Sequence, residues 1–375
     1  MSRLNVICAT NNFGLGPVGK ICSIVTAGKG YDWYAVGNHF DTSIFSDGLI
    51  KECLWSKDKN ELKQFIKKNN ISYAVVVLDS ELTFILMELG VKVLFVDSLP
   101  FMWTQADIDE GLLPLNVDYY CAQKCINLTE SSRKVLSQIK NLIWVNPIGD
   151  SEDVGNASEQ DYCLINFGGL HSPFGNGEYY IDVICPALFK SLKEKGFLRL
   201  IVACGQTAKE NLKEKFEFYA RRENLDLTVE TFTQEKFHKM VKGAKLFITS
   251  PGLTTIYETM GYDKNTLLLP PQNLSQFYNI KYGKQLLKFV KAVNWDTDDL
   301  SDDGLEKILA LGESKVVEII YDRIRKLNSS EYIYGLYKRF LKELSSPFSK
   351  NNKQIKYENT GAIAICNLLK TLMGE

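Results

Sequence analysis

The residues best suited to chemistry sit where strand-like apolar runs give way to turns, and the densest group lies in the second half of the chain. Leu246-Phe247-Ile248-Thr249-Ser250-Pro251-Gly252-Leu253-Thr254-Thr255-Ile256-Tyr257-Glu258 reads as strand, turn and helix. Ser250 is expected to cap the helix, Pro251 fits its first turn, and Gly252 leaves room for a ligand. The N–H groups at the start of such a helix, with the hydroxyls of Thr254 and Thr255, suit a diphosphate. Glu258, about one turn further, can accept both hydroxyls of a ribose. Upstream, Asn166-Phe167-Gly168-Gly169-Leu170-His171 follows another apolar run, and its paired glycines let the backbone approach a phosphate. Gly205 and Gln206 end a third run. Downstream, Gln276 lies in Pro270-Pro271-Gln272-Asn273-Leu274-Ser275-Gln276, whose carboxamides both donate and accept, as recognition of sugar hydroxyls requires. The plainer reading of each turn is a chain reversal, and of Glu258 and Gln276 a solvated polar face.

The first half carries a second glycine-rich turn. Gly14, Gly16 and Gly19 fit G-x-G-x-x-G between a strand and a helix. Three readings stay open: a dinucleotide loop with Asp41 as the distant acidic residue, a tight turn, or one wall of a substrate cleft. A group transfer with inversion needs a base, and only three histidines are present. His39 follows the second strand-like run. His171 is better placed to meet phosphate, and His238 falls inside a helical pattern as a structural residue. Among acids, Asp97 ends a strand-like run, with Phe101 and Trp103 beyond it. Asp97 and His39 are the candidate bases. The triplets Asp107-Ile108-Asp109 and Asp296-Thr297-Asp298 sit in polar, helical or loop context, so no metal site is expected.

The elements that must carry these turns alternate along the chain. Strands are expected at Leu4–Thr10, Trp33–Asn38, Ser72–Leu78, Lys92–Asp97, Tyr119–Gln123 and Leu142–Asn146, with helical patterns between them. A turn-rich segment from Pro147 to Asn156 reads as a linker. A second series follows, with strands at Tyr162–Phe167, Leu198–Cys204, Leu227–Thr231, Leu246–Thr249 and Leu267–Leu269. Beyond Asp302 the pattern is helical, through Leu305–Lys326, Tyr332–Leu344 and Gly361–Met373. The expectation is an α/β fold of two Rossmann-like, doubly wound domains facing a cleft. Residues 1–150 form the acceptor-side domain, 151–350 the donor-binding domain, and 351–375 a helix that returns to the first domain.

The 375 residues exceed what a single core supports. A hydrophobic share of 45% and a charged share of 24% fit an ordinary soluble chain, expected to be cytoplasmic. The net charge of −1, from 44 basic and 45 acidic residues, gives no bulk attraction to nucleic acid. No run approaches the length of a membrane span. Nine cysteines, mostly inside apolar runs, read as reduced thiols, and Cys121 and Cys125 lack a second pair to complete a zinc site.

Taken together, the order of these turns resembles the donor-binding half of GT-B glycosyltransferases, especially the MurG-like N-acetylglucosaminyltransferases. The resemblance implies that Gly252, Thr254 and Thr255 hold the donor diphosphate, Glu258 the ribose and Gln276 the sugar. Gly168, Gly169, His171, Gly205, Gln206 and Ser250 complete the donor side, and Gly14, Gly16 and Gly19 lie on the acceptor side. It implies transfer from a nucleoside-diphosphate sugar to a small-molecule or glycan acceptor, with no separate cofactor. The chain has Ser275 where many relatives carry an acid, Ser250-Pro251 in place of a His or Arg, and Pro17 in place of a histidine. The sugar and the base therefore stay open. So do hydrolysis or epimerisation of the nucleotide-sugar, a binding subunit without turnover, and a nicotinamide-dependent oxidoreductase.

Overall fold

In the computed structural model the described residues are all except 1, 2, 12, 14, 15, 41, 43, 44, 46, 47, 126, 150–157, 169, 171–176, 260, 261, 263, 284–289, 349–359 and 373–375, and the side chains of 258 and 259. The chain divides into two compact units, one of residues 1–152 with 357–375 and the other of residues 153–356.

The first unit runs β1 (Leu4–Thr10), α1 (Gly16–Ala27), β2 (Tyr31–Val36), β3 (Ile50–Leu54), α2 (Lys59–Lys68), β4 (Tyr73–Val77), α3 (Ser80–Glu88), β5 (Lys92–Asp97), α4 (Gln105–Asp109), β6 (Tyr119–Gln123), α5 (Glu130–Leu136) and β7 (Leu142–Val145). Its seven strands are parallel in the order β3-β2-β1-β4-β5-β6-β7. The central strands are covered on both faces, which is why Val6-Ile7-Cys8-Ala9 and Ala74-Val75-Val76-Val77 are unbroken apolar runs, all wholly buried. Helix ends are marked by side chains that satisfy the first free N–H groups. Asp58 accepts from Asn60 and Glu61, Asp79 from Leu82, and Thr129 from Ser132.

The second unit repeats the plan with β8 (Gln160–Asn166), α6 (Glu178–Glu194), β9 (Arg199–Ala203), α7 (Gln206–Arg222), β10 (Asp226–Glu230), α8 (Gln234–Gly243), β11 (Ala244–Thr249), α9 (Leu253–Thr259), β12 (Thr266–Leu268), α10 (Leu274–Tyr282) and β13 (Lys291–Ala292). Its six parallel strands are ordered β10-β9-β8-β11-β12-β13. Short α11 (Asp302–Glu306), then α12 (Glu313–Arg325) and α13 (Ser330–Ser345), follow within this unit, and α13 packs on α6. Finally α14 (Gly361–Leu372) packs on α1 and β7 of the first unit. Its Ala362, Ile365, Cys366 and Leu369 join the core of Ile21, Val25, Trp33 and Val145. The Tyr31 hydroxyl donates to the Cys366 carbonyl oxygen at 3.2 Å.

In both sheets the strand order therefore reverses once, between β1 and β4 in the first unit and between β8 and β11 in the second. At such switch points the crossovers leave in opposite directions and the carboxyl ends of two neighbouring strands open a crevice for ligands. Two strands depart from the sequence reading. β3 is an edge strand whose Ile-Lys-Glu-Cys-Leu is nowhere buried, so it lacks the apolar run of its neighbours. β13 has only two residues. The helix expected at Leu305–Lys326 is broken at Gly312, whose φ of 82° lies in the left-handed region that a helix cannot continue through. Most of the expected linker lies outside the described residues.

Candidate functional site

The switch point of the second unit is built from three turns, those after β8, β11 and β12. Asn166 at the end of β8 ties the first two together. Its amide donates to Thr249 Oγ1 at 3.1 Å and its Oδ1 accepts the Gly168 N–H at 2.9 Å, while its carbonyl accepts the Ser250 N–H at 2.8 Å. Gly168 has φ of 69° and faces Ser250, with a Cβ added there standing 3.7 Å from that of the serine. The left-handed φ, and not the ordinary contact with Ser250, explains glycine here. Gly169 and His171 lie outside the described residues.

Ser250 corrects one expectation. It is not the helix cap: α9 begins at Leu253, and the Gly252 carbonyl accepts the Ile256 N–H at 3.0 Å. The buried Ser250 hydroxyl instead donates to the Phe167 carbonyl at 2.8 Å and accepts from Gln272 Nε2 at 2.6 Å. As placed, it shapes the crevice from behind. Gly252 is half-buried, and no described atom lies within 4 Å of where its Cβ would stand, so there is room beside Gly252 itself. Thr254 and Thr255 on that turn are half-buried as well. Glu258 lies on α9, but its side chain is outside the described residues.

Gln276 also departs from a solvated surface role. It is 8% exposed, and its Oε1 accepts the Gln272 N–H at 2.9 Å. Asn273 caps α10 by accepting the Gln276 N–H, and buried Asn279 donates to the Pro251 carbonyl at 2.8 Å. The second turn of α10 is thereby pinned to the turn that precedes α9. Gly205 stands at the N-cap of the seventeen-residue α7. Next to it, exposed Gln206 donates to Glu210 at 2.7 Å along its own helix.

The sequence reading missed two buried groups, Tyr180 and Trp295, and placed Gln272 among carboxamides for sugar hydroxyls, whereas it is buried against Phe167 and Ser250. The Tyr180 hydroxyl donates to the Pro270 carbonyl at 2.6 Å, and the Trp295 indole to that of Pro271 at 2.7 Å. Their partners lie 90 and 24 residues away in sequence, and only the polar residue directly after a proline pair hinted at them.

In the first unit, Gly16 opens α1 and Gly19 lies a turn inside it, its carbonyl accepting the Ser23 hydroxyl. Gly19 is thus a helix residue, as the third glycine of such a pattern is; Gly14 and Asp41 are outside the described residues. His39 is exposed just past β2, its ring edge-on to Trp55 at 4.9 Å. Beside it Asn38 donates to Asp79 at 3.3 Å, and Lys57 bridges Asp79 at 3.0 Å and Glu81 at 2.6 Å. Burial pushes the Asp79 carboxyl up, with Lys57 opposing it. Asp97 is placed quite differently. It is fully buried, with Oδ1 accepting the Leu99 N–H at 2.8 Å and Oδ2 accepting the Trp103 indole at 2.7 Å and the Tyr120 hydroxyl at 2.8 Å. Burial raises its pKa to about 6, partly offset by those donors. With no exposed surface in this arrangement, Asp97 is the hub of the turn after β5, which corrects its reading as a base. β2 and β5 are three strand spacings apart, about 14 Å, so His39 and Asp97 are not brought together. Asp107, of the first acidic triplet, is buried and caps α4 through Thr104.

Among the described residues no group of His, Cys, Asp and Glu could hold a metal ion, and no helix is long and apolar enough to cross a membrane. No family model matches the chain, and no curated protein matches it in sequence. Solved structures do match it over nearly their whole length. Staphylococcus aureus MnaA, solved with UDP, is 13% identical with a TM-score of 0.54, covering 99% of this chain and 97% of its own. A Listeria monocytogenes protein described as a UDP-N-acetylglucosamine 2-epimerase is 13% identical with a TM-score of 0.52, covering 100% and 97%. Arabidopsis thaliana UGT89C1 is 12% identical with a TM-score of 0.50, covering 92% and 100%. With its two parallel sheets of seven and six strands in two domains, the chain has the GT-B fold, which nucleotide-sugar glycosyltransferases and UDP-N-acetylglucosamine 2-epimerases share.

Proposed function

We propose that this chain is a glycosyltransferase that takes a sugar from a nucleoside diphosphate and passes it to a small-molecule or glycan acceptor without a metal. The observation that carries this reading is the crevice at the β8/β11 switch point, with an open Gly252 at the start of α9 and α10 pinned alongside. Gly252, Thr254 and Thr255 receive the diphosphate, whose charge the N–H groups of the first helical turn complement. Glu258 takes the ribose and Gln276 the sugar; Gly168, Gly205 and Gln206 follow strand ends on the same edge of the sheet, and Gly169 and His171 are assigned to the donor with them. Stabilising the departing diphosphate in this way lowers the barrier to sugar loss. His39, exposed at the carboxyl edge of the first sheet, is the candidate base for the acceptor hydroxyl.

Epimerisation is the second reading, favoured by the likeness to the Listeria protein. The two separate on product. The protein is screened by thermal shift with uridine, thymidine, guanosine and cytidine diphosphates, then incubated with the matching nucleotide-sugars. Nucleoside diphosphate released only when an acceptor is added supports transfer. A sugar inverted at one carbon with no acceptor present supports epimerisation. Failure of every nucleoside diphosphate to bind defeats both.

A further inference from the structure

The geometry points to Gln272 as the positioning residue of the donor crevice, a group that touches no ligand but sets the spacing of all three turns. This rests on the donor reading for its functional consequence, and on hydrogen bonds alone for its structural one. Gln272 is 5% exposed. Its Nε2 donates both to the Phe167 carbonyl at 2.7 Å, in the turn after β8, and to Ser250 Oγ at 2.6 Å, in the turn after β11. Its backbone N–H donates to Gln276 Oε1 at 2.9 Å, on the first turn of α10. One residue therefore reaches 105 residues back to one turn, 22 back to the second, and 4 ahead to the helix that carries the proposed sugar ligand.

The primary amide has what this position requires: two N–H groups on one atom, aimed at two acceptors that belong to different turns. A glutamate offers no donor there, and a methionine of similar shape offers none either. Either change leaves the buried Phe167 carbonyl with only the Ser250 hydroxyl. Tyr180, wholly buried in the same cluster, donates to the Pro270 carbonyl, so the strand end that carries Gln272 is itself fixed. The spacing between Gly168 and Ser250 then follows from the carboxamide and not from the strands alone.

The test compares Gln272→Met with Trp295→Phe. The second removes a buried bond to the neighbouring Pro271 carbonyl but touches neither the β8 nor the β11 turn. In the free protein, hydrogen exchange of residues 166–168 and 249–256 should quicken by about tenfold or more in Gln272→Met and stay within about twofold of wild type in Trp295→Phe. Nucleoside diphosphate affinity should fall by about tenfold or more in the first and by less than about twofold in the second. Unchanged exchange in a folded Gln272→Met, or equal loosening by Trp295→Phe, overturns the positioning role. A wild-type chain that binds no nucleoside diphosphate sinks the donor reading instead, and the exchange measurement alone then decides for or against Gln272.

Discussion

Replacing Asp97 by asparagine should change how stability depends on pH more than it changes stability itself. The carboxyl is fully buried, and its pKa is raised from the ordinary 3.8 to about 6, chiefly by loss of water around the charge. Between those values the folded chain keeps a proton that the unfolded chain has released. Stability contributed by this group is thus fully present below about pH 4 and is lost as pH rises through about 6. At 1.36 kcal/mol per pH unit, the gap amounts to about 3 kcal/mol, an order-of-magnitude figure. Asparagine has no such proton. It also cannot accept from all three donors, because its amide nitrogen must face either Leu99 or the Trp103–Tyr120 pair, and one stranded donor costs about 1–3 kcal/mol. The variant should therefore be weaker than wild type near pH 5 and close to it, or stronger, near pH 7.5. Urea unfolding at both pH values measures this, with hydrogen exchange over β5 and β6 assigning the transition to the first unit. Parallel pH profiles for the two proteins would refute the argument.

Glu258→Ala should weaken nucleoside diphosphate binding by about 1–3 kcal/mol, the penalty for leaving two ribose hydroxyls unmatched, and unchanged affinity in calorimetry counts against the ribose assignment. Gly361→Ala should dislodge the start of α14, because a Cβ there would stand 2.1 Å from the Asn146 carbonyl oxygen and 2.9 Å from that of Pro147. Limited proteolysis or exchange of residues 361–372 would register it, and an unaltered α14 would show that the backbone yields. Leu369→Ala empties a wholly buried site in the same helix and should cost about 2–5 kcal/mol in the unfolding of the first unit.

The central strands were legible in the sequence because burial on both faces leaves an unbroken run such as Ala74 to Val77, and few other environments demand that. The edge strand Ile50–Leu54 carried no such mark, since a strand with one neighbour, an exposed lysine and a half-buried glutamate resembles a loop. Turn positions were legible too, as glycine and proline punctuate strand ends. The direction of the polar side chains within those turns was not. Ser250 follows the pattern of a helix cap, yet its hydroxyl finds a carbonyl 83 residues away. Asp97 looked like a base flanked by aromatics because nothing in the order of residues announces that the Trp103 indole folds back onto it, or that Tyr120 arrives from the next strand. Local spacing predicts local partners; which buried acceptor a donor meets is decided by the assembled sheet.

The docking of α14 on α1 has a consequence for how the protein is made. A polypeptide emerging from the ribosome would present β1 to β7 long before the segment that covers the apolar side of α1, whose Tyr31–Cys366 tie spans 335 positions. The earlier half must wait, with a greasy stripe bare, while the whole intervening unit is synthesised and folds. A fragment cut at residue 152 should stick to itself or to chaperones, and supplying residues 357–375 as a separate peptide should restore its solubility.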